Sequence, residues 1–152
     1  MPPLIKHRQY WQAEVDGLAI TTGLHSILIM ESLPDTMKVI VANSAQSIYS
    51  QDDQGSKSAQ EGCHNLYCER VVNTGTPLFV ADTSVDKEWQ GNEDLVKFGL
   101  GTYYGVPLRQ EGKVVGTVCA LHPESFDFEA GSTSAKDRIL ALQAKIESDL
   151  AH

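Results

Sequence analysis

A basic patch is missing from this sequence. Its 12 lysines and arginines are scattered singly among 20 acidic residues, for a formal net charge of −8. Phosphate backbones and anionic headgroups are held by clustered positive charge. The balance therefore excludes a nucleic-acid surface and an anionic-membrane surface. No apolar run approaches the roughly 20 residues that cross a bilayer. The opening MPPLIKHRQYWQAEVDG has no apolar signal-peptide core. A cytoplasmic protein is expected, or a cytoplasmic piece of a larger one. Cysteine is scarce and odd in number: Cys63, Cys68 and Cys119. An odd count argues against a secreted disulfide framework. The Cys63-x4-Cys68 spacing does not suit a zinc knuckle, and no second ligand pair follows. Buried reduced thiols are the simpler expectation. Catalytic patterns are absent too: there is no Ser-His-Asp order, no Gly-rich phosphate loop and no His-x3-His pair. Asp82 and Asp86 flank a turn, where their carboxylates suit backbone amides better than catalysis.

What is present reads as one domain over residues 1–152, long enough to bury a core of its own. Leu4, Trp11, Val15 and Leu18 form a helical stripe over 4–20, stopped by Gly23. HSILIMES (25–32) and MKVIVAN (37–43) read as a hairpin of strands joined through Pro34-Asp35. Residues 44–62 are polar and read as a loop. HNLYCERVVNTG (64–75) reads as a helix ending at Gly75, and TPLFVAD (76–82) as a strand. KEWQGNEDLVKFG (87–99) reads as short helical turns. Ile139, Leu142, Ile146 and Leu150 mark a closing amphipathic helix over 134–150. Ser132, Thr133 or Ser134 can cap it, with Asp137 in its first turn. Helices at both ends of an antiparallel sheet make an α+β layered domain.

The run FGLGTYYGVPLRQEGKVVGTVCALH (98–122) reads as a second hairpin turning at Glu111-Gly112. If Gln110 pairs with Lys113, cross-strand partners share a face. One face then carries Tyr104, Val106, Leu108, Val115, Thr117, Cys119 and Leu121. The other carries Tyr103, Gly105, Pro107, Val114, Gly116, Val118 and Ala120, mostly small. Small residues admit helices close to a sheet, so Gly116 and Ala120 are expected beneath the terminal helices. Pro107 implies a margin or a bulge. A bulge there would put Tyr103 instead of Tyr104 on the face of Cys119, and both alternatives stay open.

Tyr67-Cys68, the strand from Pro77 to Asp82, Trp89 with Asn92, and the paired Gly105-Val106-Pro107-Leu108 and Gly116-Thr117-Val118-Cys119 together resemble a GAF domain. The resemblance is to the GAF domains of bacterial sensor histidine kinases and diguanylate cyclases. It implies a central antiparallel sheet of about six strands. Terminal helices would cover one face. Short helices and loops would enclose a pocket on the other. The pocket residues implied are Phe98, Tyr103, Tyr104, Thr117, Cys119 and Leu121, with Trp89 as a lid.

The resemblance implies a non-catalytic sensory or regulatory module of signal transduction that binds an unidentified small molecule. The alternatives are a ligand-free dimerisation module and, third, a thiol redox enzyme of the methionine sulfoxide reductase type. Cys63-His64 precedes the strand 76–82, one element earlier than the bilin-attaching pair of phytochrome-like relatives. Segment 83–102 lacks both Cys and His, which such bilin sites and the sulfoxide reductases use there. Asn92, Lys97 and Phe98 only loosely match a cyclic-nucleotide signature. His122 ends a strand on the wrong face for a haem, and His64 falls at the start of a helix. No cofactor is named by these residues, and no metal set. The terminal helices are expected to pair two copies in a parallel bundle, with Tyr10 or Trp11 at the seam, since adjacent helix residues point about 100° apart. A signalling domain or protein would receive the output.

Overall fold

A computed structural model describes residues 8–44, 53–56, 67–80, 102–123, 126–129 and 134–151. In chain order the elements are α1 (Arg8–Thr22), β1 (Ser26–Ser32), β2 (Thr36–Ala42), β3 (Gln54–Ser56), α2 (Tyr67–Thr74), β4 (Leu78–Val80), β5 (Thr102–Gln110), β6 (Lys113–His122) and α3 (Ala135–Leu150). The strands form one antiparallel sheet in the order β3-β2-β1-β6-β5-β4. The α+β architecture and the six strands are those expected. The sequence missed β3, which pairs with the outer side of β2 through Gln54 and Ser56. The expected turns over 87–99 lie outside the described residues.

β1 is central, between β2 and β6, and six of its seven residues are buried in sequence. Both its faces are covered, which is why its apolar run does not alternate. On one face Ile27 and Ile29 join Trp11, Val15, Leu18, Tyr104, Val106, Leu108, Val118, Ala120, Ile139, Leu142 and Ile146. This is the layer between the sheet and the terminal helices α1 and α3. On the other face Leu28 and Met30 join Met37, Val39, Tyr67, Cys68, Val71, Tyr103, Cys119 and Leu121 beneath α2.

Local signals set the element ends. Gly23 and Gly75 adopt φ of 78° and 66°, and each N–H returns to a carbonyl four residues back, at 2.9 Å in both cases. That left-handed closure is what glycine permits at a helix C-terminus. Ser134 caps α3, its hydroxyl accepting from the Asp137 N–H at 3.1 Å. Glu111 and Gly112 both take positive φ, 53° and 81°, as a two-residue hairpin turn of the expected kind requires. The indole of Trp11 is fully buried, and its Nε1–H donates to Asp149 Oδ2 at 2.8 Å, tying the start of α1 to the end of α3.

The expected phase of the second hairpin is corrected at one point. Gln110 pairs with Lys113 and Arg109 with Val114, but Leu108 pairs with Gly116. Val115 is an extra residue on β6, a bulge that reverses the relative phase beyond it. Tyr103, Gly105 and Pro107 therefore share a face with Thr117, Cys119 and Leu121. The bulge is opposite the Leu108–Arg109 step and not at Pro107. Pro107 instead occupies a margin: β4 pairs with Tyr103 to Gly105, and among the described residues no strand pairs with β5 beyond Gly105 on that side.

Helix α3 completes that margin. Gln143 Nε2 donates to the Pro107 carbonyl, and the Arg109 N–H donates to Glu147 Oε2, both at 2.7 Å. Residues four apart on a helix are separated by about 6 Å along its axis. Residues two apart on a strand are separated by about 6.7 Å. The near match lets one turn of helix satisfy two successive strand positions, and proline brings no N–H needing a partner.

Two glycines give opposite expectations. A Cβ at Gly17, on α1, would meet nothing within 4 Å. Gly17→Ala should raise stability by up to about 1 kcal/mol through helix propensity. A Cβ at Gly105 would run into the ring of Tyr103, 2.7 Å from Cε1. Gly105→Ala should lower stability by about 1–3 kcal/mol, as overpacking does. Urea midpoints of the two variants check the opposite signs.

Candidate functional site

The α2 face of the sheet is built in rows across three strands. Ser26, Leu121 and Tyr103 form one row, Leu28, Cys119 and Gly105 the next, and Met30, Thr117 and Pro107 the third. Strand alternation selects these residues, because every second position looks to the same side. Gly105 leaves a gap in the middle row. The Tyr103 ring fills it by leaning along its own strand, and it stacks on Tyr67 from the first turn of α2, with centroids 4.7 Å apart and planes at 28°. Offset stacking of this kind adds to the energy of burial. Gly105 is thus explained by an aromatic ring that must lie flat on the sheet. Gly116 faces the opposite layer with Val118 and Ala120, as expected from their small size.

The floor is apolar with two weakly polar atoms at its centre. Thr117 and Cys119 are at most 1% exposed, and the Thr117 hydroxyl lies 4.0 Å from Cys119 Sγ. Cys68 and Cys119 are both buried. A nucleophilic thiol needs a partly exposed, electropositive setting, whereas these two sit among Met, Leu, Val and Tyr side chains. Among the described residues no group of three His, Cys, Asp or Glu could hold a metal ion. Among the described residues no helix is long and apolar enough to cross a membrane.

Tyr103, Thr117, Cys119 and Leu121 are brought together as expected. Tyr104 is not with them. The bulge at Val115 turns it to the terminal-helix layer, where its ring lies 5.4 Å from Phe128 and 6.4 Å from Phe79. Trp89, Phe98 and Cys63 lie outside the described residues. The sequence reading missed Tyr67, Leu28, Met30, Met37 and Val39, which share this face. The alternation of Met37 and Val39 was a usable signal, while the unbroken run of β1 carried no phase at all. His122 Nδ1 accepts the His25 N–H at 3.2 Å, and its ring packs on Phe126, 5.3 Å away. Phe126 packs against the terminal-helix layer, so His122 is directed away from the α2 face.

A concavity lies between α1 and α3 on their outer side. It encloses about 480 Å³ and is lined by Ala13, Gly17, Leu18, Ala141, Leu142 and the flanking Glu14, Thr21, Arg138 and Lys145. Tyr10 and Ile20 of α1 are 63% and 80% exposed beside it. Of the two aromatic candidates for a seam, Trp11 is inside and Tyr10 is outside.

The family model of the GAF domain matches residues 8–140. No curated protein sequence matches the chain. Its fold is similar to that of a type II free methionine-R-sulfoxide reductase from Thermoplasma acidophilum, at 12% identity and a TM-score of 0.68 over 99% of this chain and 96% of that one. It is similar to a domain of a two-component sensor histidine kinase protein from Sinorhizobium meliloti 1021, at 16% identity and 0.63 over 93% and 88%. It is also similar to the cyanobacteriochrome receptor PixJ, at 12% identity and 0.73 over 99% of both chains. At these identities the likeness is one of fold.

Tyr104 gives a pH expectation. Burial is the largest influence on its phenol and holds it above the ordinary value of 10.0, with Lys136 lowering it and Glu129 raising it. The folded state then keeps a proton that the unfolded state releases above pH 10. Stability should be unaffected by this group below pH 10 and should fall as pH rises past it. Tyr104→Phe should flatten that alkaline decline, which denaturant titrations between pH 8 and 11 measure.

Proposed function

This chain belongs to the GAF domain family, and we propose that it is a sensory or regulatory module that binds a small molecule on the α2 face without transforming it. The stacked Tyr67–Tyr103 pair above a floor of Thr117, Cys119 and Leu121 carries this reading. Aromatic and apolar side chains with a few weakly polar atoms are the composition that lines small-molecule sites. The sensor proteins among its structural relatives support the signalling role. Domains of this kind signal by population shift: a ligand that prefers one arrangement of α2 over the floor favours that arrangement. A cytoplasmic location, a single domain over 1–152 and a signalling partner belong to the same reading.

The sulfoxide reductase relative raises an enzymatic reading. The burial of Cys68 and Cys119 among apolar groups supports the non-catalytic one. Native mass spectrometry of freshly purified protein, with thermal shifts against a panel of nucleotides, amino acids and inorganic anions, tests binding. A bound or stabilising compound is expected, and Cys119→Trp, which fills the floor, should abolish the effect. A chain that is empty and unshifted by the whole panel argues for the ligand-free alternative.

The outer face of α1 favours that alternative as an additional role. Tyr10, Ala13, Gly17 and Ile20 recur at spacings of three and four, and the groove beside them is floored by small residues. Small residues let helices of two copies approach closely. A homodimer through the terminal helices, with Tyr10 at its seam, is expected. Sedimentation at micromolar concentration should show a dimer that Ile20→Glu dissociates; a monomer unchanged by that substitution sinks the assignment.

A further inference from the structure

The two faces of the sheet carry different helices, and Arg109 is bonded to both. It follows the bulge on the free margin of β5. Its backbone N–H donates to Glu147 Oε2 on α3 at 2.7 Å. Its guanidinium Nη2 donates to the carbonyl of Gly75, the residue that closes α2. A Cβ at Gly75 would lie 3.2 Å from that Nη2, so glycine here serves both the positive φ and the approach of the guanidinium.

We propose that Arg109 is a coupling strut joining the C-terminal end of α2, on the ligand face, to the last two turns of α3, on the opposite face. Carbonyls at a helix C-terminus lack intrahelical partners and form the negative end of the helix dipole. A guanidinium suits them. At the other end a carboxylate takes a backbone N–H. Each bond is thus charge-assisted. The segment between them is stiffened by Pro107, whose carbonyl is held by Gln143. A displacement of α2 that shifts Gly75 pulls on Arg109, and the Arg109 N–H carries the pull to Glu147. Two residues beyond Glu147, Asp149 holds the Trp11 indole, so the same end of α3 reaches α1. The strut is a property of the unliganded chain and stands whether or not a ligand binds.

Coupling between two sites is reciprocal, and this makes the strut testable without a ligand. Amide hydrogen exchange is followed by mass spectrometry in the full chain and in Arg109→Leu and Glu147→Ala. The side chains of Arg109 and Glu147 are not in the core, so both variants are expected to fold. Arg109→Leu removes the bond to Gly75 and keeps the backbone donor to Glu147. Exchange over 144–150 should nevertheless quicken by about threefold to tenfold, the effect of one modest hydrogen bond. Glu147→Ala should quicken exchange over 71–75, which Glu147 does not touch. Exchange in β1 should stay unchanged in both. Effects confined to the element that each altered side chain contacts overturn the proposal. So does an increase spread evenly over the chain, which reports general destabilisation. If one variant fails to fold, the reciprocal effect in the other still decides.

Discussion

The phase of the central sheet depends on one inserted residue. Val115 adds a single position to β6, and every side chain beyond it is aimed by that insertion. Because strand faces alternate residue by residue, a shift of one exchanges them completely. With the bulge, Tyr103 meets Tyr67 and Tyr104 meets Phe128. Without it, Tyr103 and Tyr104 would exchange faces, and the stack of Tyr103 on α2 would be lost. A second register shift, between Ile29 and Met30, does similar work on β2: it leaves Ile40 and Val41 both on the terminal-helix side. The two bulges flank the central pair β1 and β6, and the separation of the two cores follows from both.

Much of this was legible because its signals are local. A stripe at three-and-four spacing, a glycine with φ above zero, a capping serine and a two-residue turn each act within a few residues. The helices and the second hairpin were therefore readable from the chain. The floor residues Thr117, Cys119 and Leu121 were readable as well, since they share one strand. What could not be read was relative phase across strands. A bulge at a valine leaves no compositional mark, whereas Pro107 drew attention to itself for a different reason, the free margin. β3 was invisible because Gln54, Gly55 and Ser56 have no strand preference and pair only because the outer side of β2 is open to them. Tyr67 joins the α2-face cluster through a contact between distant elements, which no spacing within α2 encodes.

The helix layer is held by polar bonds at its corners as well as by its core. Trp11 to Asp149 joins the two helices. At the β2 end of the same layer Gln12 donates to the Ala42 carbonyl at 2.8 Å, and Asp16 accepts the Ser44 N–H at 2.6 Å. Asn43, buried between them, accepts from Ile27 and donates to the His25 carbonyl, closing the start of β1. Such bonds are individually modest. Their placement fixes the tilt of α1 on the sheet, which apolar packing alone specifies loosely. The exposed stripe of α1 is therefore presented in one orientation.

The half-strand of β5 beyond β4 has one more consequence. An open strand margin is a template on which another chain can add its own strand, the usual beginning of aggregation or of domain swapping. Natural proteins blunt such margins with proline, charge or a covering helix. Here all three coincide within Pro107, Arg109 and the Gln143–Glu147 turn of α3. The carbonyl and the N–H that a foreign strand would use are already engaged, and the neighbouring position has no N–H to offer. The terminal helix that packs on the core thus also guards the sheet against self-recruitment while the chain is at high concentration.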